Sequence, residues 1–158
     1  MNLTFSAEFY PCGKPDPVPG RAGILALENA IRSMPEDVQH SPDLVDEMTT
    51  HYFAPGLYAR RLDRKAGDVI VGKIHKHDHL AMVVSGELTI VDEFGSRRVK
   101  GPHVFLSKAG AKRATYAHTD AIFMTFHPTD ETDLEVIERE VTADSYEDLE
   151  QFLLEKMQ

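Results

Sequence analysis

The chain has 158 residues, 42% apolar and 27% charged, which is length enough for one domain with a buried core and excludes a disordered or fibrous composition. Its net charge of −9 argues against a protein that binds nucleic acid through nonspecific positive charge.

No run approaches the roughly eighteen apolar residues of a membrane span. The opening MNLTFSAEFYPCG lacks the basic start and apolar run of a secretory signal. Cys12 is the sole cysteine, so no intrachain disulfide can form and the cytoplasm is the expected location. Four prolines (Pro11, Pro15, Pro17, Pro19) with Gly13 and Gly20 predict an extended, irregular arm. From Arg21 to Met34, Ile24, Leu27, Ile31 and Met34 recur at steps of three and four, predicting a helix with one buried stripe. Ser41 as N-cap, Pro42 in the first turn and Asp43 predict a short second helix toward Met48.

The texture changes at His51. LYARRL, DVIVGKIH, LAMVVS, ELTIVDEFGSRRVK, HVFLSK, KRATYAH and AIFMTFH follow one another with glycine-bearing turns between them. Such runs predict a mainly β chain, an antiparallel sandwich or barrel. Asp144 with Glu147 reads as a capping box, and Tyr146, Leu149, Leu153 and Met157 supply the stripe of a closing helix. The expected division is an arm with helices over 1–50, a barrel over 51–128 and an acidic extension over 129–158, all within one domain.

Charge is segregated along the chain. Residues 129–158 hold eleven acids against Arg139 and Lys156, and residues 60–113 hold 12 bases against 6 acids. The acidic segment reads as a solvated helix face, and the basic one can present a local positive field to a small anion.

Six of the eight histidines lie between His75 and His127, and His75, His77 and His79 alternate. On an extended strand alternate side chains share a face, so three imidazoles would converge on one ion while Lys76 and Asp78 point away. His127 ends the last predicted strand and faces the same way as Thr125. His118 divides between a turn residue and a ligand, His103 reads as structural, and His40 and His51 read as surface or packing residues.

The stretch Gly67–Gly86, GDVIVGKIHKHDHLAMVVSG, resembles the first signature of the cupin superfamily, with His79 where the family has glutamate, His75 at the second histidine and Lys73 at the first. Gly101–His118 resembles the second signature, with Lys108-Ala109-Gly110 for Pro-x-Gly and Arg113 at the histidine position. The resemblance implies a jelly-roll barrel with a metal-capable pocket in its mouth, often paired as a homodimer. His77 shifting into the set, and His118 or His127 as the fourth ligand, would complete the donors. Imidazole nitrogens suit Fe, Mn, Ni, Cu or Zn without choosing among them.

A dication on neutral imidazoles favours an anionic ligand. Lys73, Lys112 and Arg113 are the candidate clamp for a carboxylate or phosphate, or else solvated edge charges, and Tyr116 is a candidate hydrogen-bond donor. The expected partners are thus a small anionic molecule and a second copy of the chain, with neither nucleic acid nor a membrane. Two functions stay open: a metal-dependent enzyme acting on that molecule, and a noncatalytic binding or assembly module of the kind found in small cupins of phage and bacteria.

Overall fold

A computed structural model describes residues 20–33 and 42–157. The N-terminal arm, Cys12, Met34, His40 and the Ser41 cap lie outside the described residues. The order is α1 (Gly20–Arg32), α2 (Pro42–Glu47), β1 (Thr49–Ala54), β2 (Leu57–Arg64), β3 (Val69–Val71), β4 (Ile74–His75), β5 (His79–Ser85), β6 (Glu87–Asp92), β7 (Gly95–Lys100), β8 (His103–Ser107), β9 (Ala114–Ala117), β10 (Ala121–His127), α3 (Leu134–Val141), β11 (Thr142–Ala143) and α4 (Tyr146–Lys156). The fold is mainly antiparallel β with helices toward both ends, as the alternation and turn pattern predict. No helix among the described residues is long and apolar enough to cross a membrane.

Two antiparallel sheets face each other. One runs β1-β2-β10-β5-β8, the other β3-β9-β6-β7, and β11 pairs with β4. Strand alternation turns Ala81, Val83, Phe105 and Ala121 of the first sheet toward Leu88, Ile90, Val99 and Ala117 of the second, which closes the core. The tight β5–β6 turn depends on Gly86 at φ +80°, where an added Cβ would come within 2.3 Å of the Asp120 carbonyl oxygen.

α1 differs from the predicted stripe. Ile24 is buried, but Leu27 is exposed and Glu28 takes the inward position. Lys112, itself buried, explains this: its Nζ reaches Glu28 Oε1 at 3.1 Å, and a buried ammonium needs that carboxylate.

The acidic segment is more than a solvated helix. Asp133 caps α3, accepting from the Glu135 and Val136 N–H groups. The last helix is capped by Ser145 with Asp148, one residue beyond the expected Asp144 and Glu147, because Asp144 is engaged with Lys73. Its inward stripe is Tyr146, Leu149 and Phe152 against Ile74 and Ala143, while Leu153 and Met157 stay exposed.

Candidate metal centre

Three strands bring three imidazoles together: His75 from β4, His79 from β5 and His127 from β10. One ligand atom from each lies within 4.8 Å of the others. The ring centroids are 4.2 Å apart for His75 and His79, 4.6 Å for His79 and His127, and 5.5 Å for His75 and His127. His79 and His127 are adjacent because β5 and β10 are neighbours in the sheet, and both point inward with Thr125 and Ala81.

Burial fixes the protonation state. It pushes the His79 imidazole down to about 4, with Arg113 and Arg60 adding to the effect. It pushes His127 down to about 3, with His79 and Arg60 adding. His75 falls well below its ordinary value, again through burial first and then the neighbouring rings and the same two guanidiniums. All three rings are therefore neutral at pH 7 and offer lone pairs. His79 Nδ1 donates to the His77 carbonyl at 3.3 Å, which leaves Nε2 free to ligate. His127 Nε2 shares a 3.2 Å bond with Thr125 Oγ1. His75 Nδ1 is buried without a hydrogen-bond partner among the described residues.

That donor set fits a divalent first-row transition ion. Buried polar atoms without partners are costly, and three neutral imidazoles at this spacing have a common use in sharing a cation.

The other candidate residues lie elsewhere. His77 leaves the shared face because β4 ends at His75 and residues 76–77 form a bend, so its ring meets Phe152 edge-on at 5.3 Å. His118 bonds Thr89 Oγ1 at 2.7 Å and stacks edge-on with Tyr116, away from the triad. Tyr116 is exposed, since Thr115 next to it takes the inward position. Lys73 pairs with Glu138 and Asp144 on the surface, and Lys112 is committed to Glu28. Arg113 does reach the centre: its Nη1 donates to Ser107 Oγ, and Ser107 is the strand partner of His79.

No family model matches the chain, and no curated protein matches it. Solved structures do. KdgF from a Halomonas species is 21% identical with a TM-score of 0.42, over 48% of this chain and 71% of its own. A cupin-2 domain protein from Shewanella frigidimarina is 11% identical with a TM-score of 0.44, over 51% and 79%. An acetylacetone dioxygenase from Acinetobacter johnsonii is 14% identical with a TM-score of 0.44, over 51% and 58%. The structural neighbours are cupin-domain proteins.

Two residues beside the triad escape the sequence reading. Arg60 sits opposite Thr125 on the β2–β10 ladder. Tyr58, opposite His127, stacks on that ring at 6.0 Å and shares a 2.8 Å bond with His51 Nδ1. The signal for both is the alternation Tyr58, Arg60, Leu62, Arg64, which puts the arginines on the face that Leu62 buries. A cavity of about 300 Å³, lined by His77, Asp78, His127, Pro128 and Val141, opens onto His127.

Proposed function

We propose that the chain is a small metal-binding cupin, a metal-dependent enzyme acting on a small anionic organic molecule. The observation that carries the reading is the convergence of His75, His79 and His127, neutral and within 4.8 Å, beside a cavity that reaches His127. The ion these residues would hold is Fe, Mn, Ni, Cu or Zn, and when bound it supplies a Lewis acid. Arg113 supports recognition of a negative group, whereas Lys73 and Lys112 are occupied by carboxylates and Tyr116 faces outward. The lone Cys12 keeps the cytoplasm as the proposed location.

Protein purified without an affinity tag of histidines should carry close to one metal ion per chain. The double variant His75→Ala, His79→Ala should lose it, and His77→Ala should keep it. Wild-type protein that arrives metal-free and also rejects added Fe, Mn, Ni and Zn would end the proposal.

A further inference from the structure

The inner face of the five-stranded sheet carries the Arg60 guanidinium, and a second, Arg113 from the loop before β9, reaches that sheet from the other side of the imidazoles. Arg60 on β2 lies beside β10, which bears His127. Beyond β10 comes β5 with His79, and then β8 with Ser107, which receives the Arg113 Nη1 proton. Arg60 lies opposite Thr125, whose Oγ1 bonds His127, and the Ser107 that Arg113 meets lies opposite His79, so both guanidiniums border the triad. Arg60 Nε is buried and finds no hydrogen-bond partner among the described residues. Arg113 Nε is likewise without a hydrogen bond, and its nearest carboxylate, Asp92 Oδ2, stands off at 3.7 Å.

The neighbouring arginine of the same lumen is used differently. Arg64 donates to Thr115 Oγ1 at 2.8 Å and to the Asp68 carbonyl at 3.0 Å, so its two terminal nitrogens are spent on structure, although its Nε, 3.8 Å from the Asp68 carboxylate, also lacks a hydrogen bond. Arg60 and Arg113, both partly buried, border the triad, and Asp92, paired with Arg113 at 3.7 Å, offsets one of the two charges, which leaves positive charge that an anionic ligand would neutralise.

We infer that Arg60 and Arg113 form a two-point anion site across the histidine triad, and that its ligand is a small dicarboxylate. A guanidinium fork binds one carboxylate in bidentate fashion. Two strands separate β2, which bears Arg60, from β8, where Arg113 meets Ser107, and forks so placed match two separated anionic groups better than one compact tetrahedral anion. The inference deepens the anionic-substrate reading and rests on it for the metal, but the guanidinium pair is present with or without an ion.

Titration calorimetry with succinate, acetate and inorganic phosphate tests this on the full chain, both after chelator treatment and after loading with zinc. Succinate should bind the chelator-treated protein at least tenfold more tightly than acetate or phosphate, and more tightly again with zinc. Arg60→Gln should weaken succinate at least tenfold and leave acetate within about twofold. Arg60→Lys, which keeps the charge but loses the fork, should fall between the two, and equal melting temperatures should accompany these changes. Succinate binding no better than acetate, or undiminished in both Arg60 variants, overturns the inference. Zinc uptake without succinate preference would sink the dicarboxylate site alone, and succinate preference without zinc uptake would sink the metal reading alone.

Discussion

Thr142 pairs with His75 across the two-residue ladder between β11 and β4, so the acidic C-terminal segment holds one imidazole of the triad in register. Lys76 N–H adds a bond to the Val141 carbonyl at 2.8 Å, and Ile74 is packed against Ala143 and Leu149 on the opposite side. β4 is only two residues long and has no other strand partner among the described residues. His75 is therefore held from two sides, by residues almost seventy places further along the chain and by the 110–111 turn, where Gly110 N–H donates to the His75 carbonyl at 2.7 Å and His75 N–H to the Ala111 carbonyl at 3.4 Å.

Ala143→Asp should accordingly reduce metal binding without unfolding the barrel. Ala143 is buried, and an unpaired carboxylate there would separate β11 and α4 from Ile74. The expected outcome is at least a tenfold loss in zinc affinity with the β signal in circular dichroism retained. Unchanged zinc affinity would show that His75 holds its place without the ladder.

The metal-free protein should lose stability on acidification in a defined window. The unfolded chain takes up protons on these histidines near pH 6.5, while folded His79 and His127 resist until about 4 and about 3. Below 6.5 the unfolded state thus binds more protons, so the stabilising contribution is complete above 6.5 and is lost as pH falls toward 4. For His79 the full loss is about 3 kcal/mol. Urea unfolding at pH 7.5, 5.5 and 4.5 measures it, and His79→Gln should flatten part of the decline. A variant as acid-sensitive as the wild type would remove His79 as a source.

Gly86→Ala should destabilise the protein by about 2–4 kcal/mol, the sum of left-handed strain and a backbone clash. The added carbon would meet the Asp120 carbonyl oxygen at 2.3 Å and Ala121 Cα at 2.7 Å. Gly56→Ala is the control: φ is +73° there as well, but nothing lies within 4 Å, so only strain of about 1 kcal/mol applies. Thermal melting that ranks the two equally would contradict the clash.

What the sequence discloses follows the reach of local periodicity. Alternation finds β2, β5, β6 and β10 and puts Thr125 and His127 on one face, because those strands are long enough for a period of two to hold. It fails at His77, where a bend interrupts the period between β4 and β5. β1 escapes notice because its burial is weak and its partner is an adjacent hairpin strand with mixed polarity. The Lys112–Glu28 pair and the Thr142–His75 ladder join residues far apart in sequence, and no local pattern announces either. His75 and His79 bring their ring centroids within 4.2 Å of each other, whereas Lys73, only two residues before His75, is drawn outward by Glu138 and Asp144.

The outer face of the five-stranded sheet should pair with its copy in a second chain. Register places Leu80 between Leu106 and Phe126, and Met82 between Val104 and Met124, so neighbouring apolar side chains line one surface. Leu80 is 49% exposed, Val104 53% and Tyr52 45%, a contiguous patch that water solvates poorly. A twofold axis through Met82 and Met124 would let the patch cover itself, and association there leaves the triad on the inner face untouched. Light scattering at micromolar concentration should give twice the 17.7 kDa chain mass, and Leu80→Lys with Val104→Lys should return the monomer with its zinc content unchanged. A wild-type monomer, or a dimer indifferent to both lysines, would rule this face out as the contact.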